Sequence, residues 1–242
     1  MNAATSDQVS DVVSSVAAPE RFPSRGTTPA VLADIFRRDI NIAIWQRKLD
    51  DELRAAVATF LASNPQFETL LAVSPDDALG RLRSALGRAA PTAFVHNIAD
   101  LVYHFCSLLE LGDIRLRLAT LDRAMCPRFH VDMLHCRLLT TYHGAATEWL
   151  PHAAVDRSKL GPRSSAQSDL AAGLYRSESD IQRLNCGDVA LLKGERWAGN
   201  ANAGLVHRSP QVPEGKRLLL TLDVGDWSIP ATAQPRSPST PT

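Results

Sequence analysis

The first part of the chain carries apolar residues at helical spacing. One run, INIAIW at 40–45, alternates apolar residues instead and predicts an early strand. Asp, Ser or Asn stands near the starts of the helical segments and Gly near several ends, which is typical of helix caps. We therefore expect a mainly helical region over residues 29–112. The segments with this spacing are VLADIF (31–36), DDELRAAVATFLASN (50–64), DDALGRLRSALGRAA (76–90) and NIADLVYHFCSLLELG (97–112).

After Gly112 the pattern becomes that of strands. Short runs rich in Leu and β-branched residues alternate with Gly, Asn and Pro. Helices first and strands second favour an α+β fold whose core, over residues 113–228, is a β-barrel. The runs are DIRLRLATL (113–121), FHVDMLHCRLLTTY (129–142), DIQRL (180–184), DVALLKG (188–194) and RLLLTLDV (217–224).

Three segments lack both patterns. Residues 1–28 and 229–242 are rich in Ser, Ala, Thr and Pro, and we expect both ends to be disordered. The polar segment 156–179 is an insertion between strands. A loop of this length inside a compact domain is commonly a lid or binding loop, and plain surface disorder is the alternative.

Composition narrows the class of partner. Lys plus Arg and Asp plus Glu both number 26, so nothing in the charge favours nucleic acid or an anionic membrane. The N-terminus does not resemble a signal peptide, and no run approaches the roughly 18 apolar residues of a membrane span. We expect a cytoplasmic protein whose partner is a small molecule or a protein side chain. The four Cys form no CxxC pair, so we expect them buried and reduced.

The candidate chemistry begins at His130 and Asp132, two residues apart in FHVDM. In an extended strand such residues point to the same face, so their ligand atoms can converge on one ion. An imidazole and a carboxylate supply two ligands of the facial triad that holds non-haem Fe(II). Among seven His, the best third ligand is His207 in GLVHRSP; His135 and His143 fit no ligand spacing. The alternative is a buried His130–Asp132 pair with His207 in an unrelated loop.

Arg217 stands ten residues after His207 and opens the apolar run RLLLTLDV. An Arg that emerges from a strand into a small barrel can meet a carboxylate bidentately. The alternative is a structural ion pair with Asp188 or Glu195. Glu148 and Trp149 are candidates for the mouth of the barrel, with the core as the alternative for the Trp.

The order HxD, a long gap, His, then Arg resembles the Fe(II)/2-oxoglutarate-dependent dioxygenases, over roughly residues 126–224. The resemblance implies a double-stranded β-helix, a jelly roll of the cupin type, with the helical region packed on it. It implies that His130, Asp132 and His207 ligate iron and that Arg217 binds the far carboxylate of 2-oxoglutarate. Asp132 stands where halogenating relatives carry a small residue, which favours hydroxylation.

Two further residues enter through this resemblance. Thr221, four after Arg217, matches a hydroxyl that some members use beside the Arg, and Tyr142 is a candidate second anchor for the cosubstrate. The helical N-terminal third departs from the well-characterised enzymes. The whole chain also resembles an uncharacterised bacterial family of unknown function, often encoded near zinc-homeostasis genes, which supplies no activity.

Three functions are compatible with these residues. The first is an Fe(II)- and 2-oxoglutarate-dependent oxygenase of the hydroxylase type. The second is a non-catalytic zinc-binding or metal-homeostasis protein, because Zn²⁺ accepts the same ligands. The third is a cupin-like isomerase or hydrolase that uses the metal as a Lewis acid. Arg217 discriminates between them, since only the oxygenase needs it for a cosubstrate.

Overall fold

The computed structural model describes residues 20–161, 167–212 and 215–224. Within these ranges, strands and α-helices follow in the order β1 (Phe22–Gly26), β2 (Ile40–Trp45), α1 (Asp51–Ser63), β3 (Glu68–Val73), α2 (Ala78–Leu86), α3 (Thr92–Leu109), β4 (Ile114–Leu121), β5 (Cys136–His143), β6 (Glu148–Leu150), β7 (Gln182–Arg183), β8 (Val189–Lys193), β9 (Val206–Arg208) and β10 (Arg217–Val224). Short 3₁₀ helices span Pro29–Phe36, His152–Ala154, Arg157–Lys159 and Glu178–Asp180.

The strands form two sheets. The large sheet has seven strands in the order β1-β2-β8-β5-β10-β4-β3, and the small sheet has three in the order β7-β6-β9. Every adjacent pair is antiparallel except β1 and β2, which run parallel. The mixed α/β architecture is therefore built on one wide sheet with a smaller sheet beside it.

The two faces of the large sheet have different partners. Leu218, Leu220 and Leu222 of β10 belong to a hydrophobic cluster that also contains residues of α1, α2 and α3. We call this side the helix face. Because side chains alternate along a strand, Leu219 points to the opposite side, where it shares a second cluster with Trp149 of the small sheet. We call this second side the site face.

The outer side of the small sheet is covered as well. Leu150 of β6 and Val206 of β9 pack in a third cluster with Leu174 and Tyr175. The last two belong to the described parts of the insertion predicted from the polar segment 156–179. The insertion therefore forms an outer layer on the small sheet.

The helices follow their sequence signals. The Asp50 carboxylate accepts a hydrogen bond from the Leu53 N–H at 2.7 Å and caps α1, and acidic Asp51 and Glu52 complement the positive end of the helix. Helix α3 begins after Pro91, five residues before the predicted start, and buries an apolar stripe against the sheet.

Strand prediction failed where a strand is short or has only one neighbour. β3 lies at an edge of the large sheet and β1 at the other, and neither was predicted. β1 falls inside the 1–28 segment expected to be disordered. The run 129–142 is not one strand, because His130 pairs with the small sheet while β5 starts only at Cys136 in the large one.

The structure also bears on the expectations for the cysteines and for a membrane-spanning segment. All four cysteines are free, but only Cys106 and Cys136 are buried, so the expectation of four buried cysteines is wrong for Cys126 and Cys186. Within the described part of the chain, none of the helices combines the length and apolar character that a membrane crossing needs. The expected disorder of 1–19 and 229–242 concerns residues outside the described ranges.

Candidate metal centre

The structure brings His130, Asp132 and His207 into one cluster. His130 and His207 lie directly opposite each other in an antiparallel bridge, with reciprocal backbone hydrogen bonds of 3.0 Å. Asp132 approaches both rings, with Oδ1 3.6 Å from Nε2 of His130 and Oδ2 3.4 Å from Nε2 of His207. The three ligand atoms lie within 4.8 Å of one another. This spacing allows all three to contact a single ion.

Both imidazoles are oriented for ligation through Nε2. Nδ1 of His130 lies 3.0 Å from the carbonyl oxygen of Arg128, and Nδ1 of His207 lies 3.3 Å from that of Leu205. A carbonyl can only accept a hydrogen bond, so each Nδ1 donates its hydrogen and leaves the Nε2 lone pair toward Asp132. Such backbone acceptors are the usual outer partners of metal-bound histidines.

The protonation states of His207 and Asp132 also suit a metal. At His130, burial works to lower the pKa, but the hydrogen bonds to Asp132 and to the Arg128 carbonyl outweigh it and raise that pKa. Burial lowers the pKa of His207 to about 4, so this ring is neutral at pH 7. Burial works to raise the pKa of Asp132, but His130, His207 and Arg137 outweigh it and hold that pKa well below its usual range. A neutral imidazole and an ionised carboxylate are the forms that bind a divalent cation. Two histidines and one carboxylate are the donor set of a facial triad.

Two glycines allow the ligand segment to pack closely. A Cβ on Gly194 would collide with the carbonyl oxygen of Leu134, and one on Gly204 would collide with the side chain of Val131. Both contacts fall on the stretch that carries Asp132. These close approaches are possible only without a side chain.

Arg217 is buried in a cleft that it shares with His130 and His207. Its side chain is among the largest fully buried ones, at 1% exposure. One terminal nitrogen, Nη2, donates to the hydroxyls of Thr147 at 2.7 Å and Thr141 at 3.3 Å. Nε is buried and has no partner among the described residues. Burial alone lowers the pKa of Arg217 to about 10.

The alternative ion pairs of Arg217 are not formed. Asp188 accepts hydrogen bonds from Asn185, and Glu195 accepts one from the Asn202 backbone. Among the described residues, no carboxylate pairs with Arg217. A buried guanidinium without an anion is costly, and a bidentate carboxylate is the ligand that it matches best.

One cleft connects the two halves of the site. His130, His207, Arg217, Thr147 and Thr221 all line it. Thr221 lies on the site face of β10, two positions after Leu219, and its role beside Arg217 stays a prediction.

Tyr142 lies elsewhere. It belongs to the helix-face cluster, where its ring packs edge-on against Phe94 and its hydroxyl donates to Oδ1 of Asn97 at 2.8 Å. Burial raises the pKa of Tyr142 to about 12. The structure thus places Tyr142 on the opposite side of the large sheet from Arg217, so it does not fit as a cosubstrate contact.

Glu148 and Trp149, the candidates for the mouth of the barrel, contribute to packing and to strand pairing instead. Trp149 is 1% exposed in the cluster between the two sheets. Glu148 accepts hydrogen bonds from Arg183 at 2.8 Å and Arg208 at 2.7 Å, which ties β6 to both of its neighbours. Neither Glu148 nor Trp149 lines the cleft.

Sequence reasoning missed four residues of the site. Thr141 and Thr147 hold Arg217, and Arg137 and Asp223 form an ion pair that extends to Asp132. Arg137 and Asp223 both fall on the site face by strand alternation, which is the signal that was present. Their pairing depends on the register between β5 and β10, which the sequence does not reveal.

The described parts of the insertion do not line the cleft. Asp169 instead accepts hydrogen bonds from the Phe129 N–H at 2.9 Å and from the Arg128 guanidinium at 3.1 Å. These contacts hold the residues immediately before His130. The insertion therefore contacts the metal-binding segment from outside.

Comparison with known proteins identifies the family. The profile of a family described as a protein of unknown function, DUF1826, matches residues 26–223. The chain belongs to the DUF1826 family. The expected membership of an uncharacterised family is thereby confirmed. The sequence matches no curated protein.

Several solved structures resemble this DUF1826 protein in fold. A dioxygenase for auxin oxidation from rice shares 12% identity over 85% of this chain and 83% of its own, with a TM-score of 0.47. A prolyl-4-hydroxylase from Pseudomonas putida shares 10% identity over 81% and 98%, with a TM-score of 0.40. HygX from Streptomyces hygroscopicus, with nickel and 2-oxoglutarate bound, shares 12% identity over 75% and 81%, with a TM-score of 0.40. At this distance the likeness assigns no function, which depends on the residues of the chain itself.

Proposed function

We propose that this DUF1826 protein is an Fe(II)- and 2-oxoglutarate-dependent oxygenase of the hydroxylase type. The observation that carries the proposal is a buried Arg217, without a carboxylate partner among the described residues, in the cleft that His130 and His207 line beside Asp132. The cluster alone is compatible with many metal proteins. The buried Arg217 beside this cluster favours an anionic ligand, which points to a metal enzyme with a carboxylate cosubstrate.

His130, Asp132 and His207 would hold the metal. A facial triad of this kind occupies three coordination positions and leaves the others open. Bound iron with 2-oxoglutarate supplies the activation of dioxygen in enzymes of this class. The protein contributes the geometry, through Nδ1 hydrogen bonds that fix both rings and through the ionised Asp132.

Arg217 would bind the far carboxylate of 2-oxoglutarate. Thr147 and Thr141 hold one side of its guanidinium and leave Nε without a protein partner. The Thr221 hydroxyl lines the same cleft and can donate to a carboxylate. These groups orient the cosubstrate and exclude water from its buried end.

The architecture supports a double-stranded β-helix core. The large and small sheets pack face to face through a shared cluster that contains Leu219, Ala190 and Trp149. Closely packed antiparallel sheets are the arrangement of jelly rolls. We propose that the two sheets form a double-stranded β-helix, with the α-helices packed on its helix face.

The reaction class follows from Asp132. Its carboxylate takes the position that a halogenating enzyme would leave free for a halide, so hydroxylation is the proposed outcome. The substrate is a small molecule or a protein side chain, and the proposed location is the cytoplasm. A zinc-holding protein would use the same three ligands but would give no role to the buried Arg217.

The decisive experiment is an anaerobic titration of metal-free protein with Fe(II) and then with 2-oxoglutarate. We expect a visible charge-transfer band when the keto acid chelates the bound iron. The band should be lost in His207→Ala, which removes a ligand, and weakened in Arg217→Met, which removes the carboxylate partner. His143→Ala is the matched control, because His143 is exposed and does not line the cleft.

Tight zinc binding without any Fe(II) band would contradict the oxygenase and favour the metal-holding function. A band that persists in His207→Ala would show that iron binds elsewhere. Iron binding with no response to 2-oxoglutarate would favour a Lewis-acid enzyme.

A further inference from the structure

Asp132 lies outside the regular strands. The chain between His130 and Cys136 belongs to neither sheet, and the Asp132 backbone carbonyl is held by the Glu195 N–H at 3.0 Å. A carboxylate on such a segment needs a side-chain contact to fix its direction. That contact comes from β5.

Arg137 makes this contact and a second one. Its Nη1 donates to Oδ2 of Asp132 at 2.7 Å. Its Nε and Nη2 donate to the two carboxylate oxygens of Asp223 at 2.6 and 2.8 Å. The three side chains are well shielded, with 21%, 13% and 17% exposure for Arg137, Asp132 and Asp223. One planar guanidinium thus bridges two carboxylates.

The partner of Arg137 is fixed by the sheet. Arg137 of β5 and Asp223 of β10 are direct cross-strand neighbours in the large sheet. Their bidentate pairing fixes the plane of the guanidinium, and the remaining N–H group can then reach only a defined position. Asp132 occupies that position.

The charges of this group favour metal binding. A guanidinium that paired with Asp132 alone would neutralise the ligand and weaken its attraction for a cation. Asp223 shares the positive charge, so the three side chains together retain one net negative charge. Asp132 is therefore oriented by Arg137 without being neutralised by it.

We propose that Arg137 is a positioning residue that fixes Asp132 as a metal ligand by tying it to Asp223 on β10. The inference rests on the proposed metal centre and extends it. It also connects the metal centre to the strand that begins with Arg217. Three hydrogen bonds of Arg137 thereby join the segment that carries Asp132 to β10, the strand that carries Arg217.

The test measures metal binding, with Co(II) as a coloured stand-in for Fe(II). The full-length metal-free protein and its variants are titrated while the visible Co(II) spectrum is recorded, and thermal unfolding confirms that each variant is folded. Arg137→Met should raise the Kd for Co(II) by about 10–100-fold, the range typical of outer partners of metal ligands, and should alter the spectrum. Arg137→Lys should also lose several-fold, since one ammonium group cannot bridge both carboxylates.

Asp223→Asn tests the bridge without touching either the ligand or the arginine. It should weaken Co(II) binding in the same direction and by less than Arg137→Met. Glu68→Gln is the matched control, because Glu68 pairs with Arg117 between neighbouring strands of the same sheet at 2.8 Å. This control should bind Co(II) like the parent.

The outcomes separate the inference from the proposed function. A parent protein that binds no Co(II) would overturn both. A parent that binds Co(II), with Arg137→Met and Asp223→Asn unchanged in Kd and spectrum, would overturn only the positioning role. Parent-like behaviour of Arg137→Lys would also overturn it, since charge alone would then suffice. If Arg137→Met does not fold, Asp223→Asn decides the question.

Discussion

Burying the charged Arg217 guanidinium costs folding free energy, and no ion pair among the described residues compensates for this cost when the anionic ligand is absent. Its guanidinium has hydroxyl partners in Thr141 and Thr147 but no carboxylate among the described residues. Functional sites commonly hold groups that reduce stability and are needed for activity. This makes ligand binding and stability respond in opposite directions to the same substitution.

We expect Arg217→Met to weaken 2-oxoglutarate binding to the Fe(II) protein and to leave the ligand-free protein as stable or about 1 kcal/mol more stable. Methionine fills a similar volume and removes an unpaired buried charge, a change that is often neutral or stabilising. Isothermal titration calorimetry and urea unfolding measure the two effects. A loss of 2 kcal/mol or more, on the scale of typical core damage, would instead make Arg217 a structural residue.

His152 should make the stability of the protein depend on pH. Burial, followed by the charges of Arg157 and Arg21, lowers the pKa of His152 to about 4 from its ordinary 6.5. The unfolded chain therefore binds more protons than the folded one between these values. The free energy of unfolding should fall as the pH drops from about 6.5 to 4 and stay level above, as far as this group is concerned.

His152→Gln should remove up to about 2 kcal/mol of this pH dependence, after allowance for solvent screening of a partly exposed group. Urea unfolding of the metal-free protein at several pH values measures it, with the exposed His143→Gln as control. His207 contributes with the same sign, so the difference from the parent is the relevant quantity. Parallel curves for parent and His152→Gln would contradict the prediction.

At the scale of elements, the insertion contacts the two segments that carry the proposed histidine ligands. Asp169 is 7% exposed and holds the Phe129 N–H and the Arg128 side chain, next to His130. Arg157 donates to the Gly204 carbonyl at 2.6 Å, three residues before His207. The insertion thus contacts both of the segments that carry the histidine ligands.

Asp169→Ala should weaken Co(II) binding several-fold and increase hydrogen exchange at residues 129–131, because it removes the acceptor that fixes the approach to His130. Asp180→Ala is the control. Asp180 caps the short 3₁₀ helix Glu178–Asp180 where the insertion ends, and its carboxylate accepts a hydrogen bond from the Ser177 N–H at 2.9 Å. Equal effects of the two substitutions would mean that the insertion only adds general stability.

Elements with a strong periodic pattern could be predicted from the sequence. The alternating run at 40–45 is β2, and the Leu-rich runs at 188–194 and 217–224 contain β8 and β10. Edge strands β1 and β3 were missed, since a strand with one neighbour and a half-exposed face carries a weak apolar signal. The break after His130 was missed because the apolar pattern continues while the chain passes from one sheet to the other.

The candidate site was predictable to a similar degree. His130 and Asp132 stand two positions apart, so their proximity could be expected from the sequence, although Asp132 lies outside the regular strands. The bridge from Asp132 to Asp223 depends on the pairing of Arg137 with Asp223, which are 86 positions apart and meet only through the strand register. The expected role of Tyr142 came only from the resemblance, although strand alternation along β5 from Arg137 places Tyr142 on the helix face.

At the scale of the molecule, the site lies between layers with different tasks. The α-helices of the described residues pack on the helix face, so the large sheet has a hydrophobic core behind it. The small sheet covers the site face beside the cleft, and the insertion covers the outer side of the small sheet. The proposed metal ligands come from β9 of the small sheet and from the segment that pairs with it, and the proposed cosubstrate residue comes from β10 of the large sheet. A ligand that spans both groups should therefore stabilise the whole molecule.

We expect 2-oxoglutarate to raise the melting temperature only when a divalent metal is bound, because the keto acid must reach the metal and Arg217 together. At a ligand concentration of about 100 times its Kd, the gain of about 2.7 kcal/mol corresponds to roughly 5–10 °C for a domain of this size. Glutarate is the matched control: it carries both carboxylates but lacks the keto oxygen needed for chelation, so its shift should be small. A 2-oxoglutarate shift of equal size without metal would mean that Arg217 binds anions independently of the metal centre, and the two halves of the cleft would then not form one site.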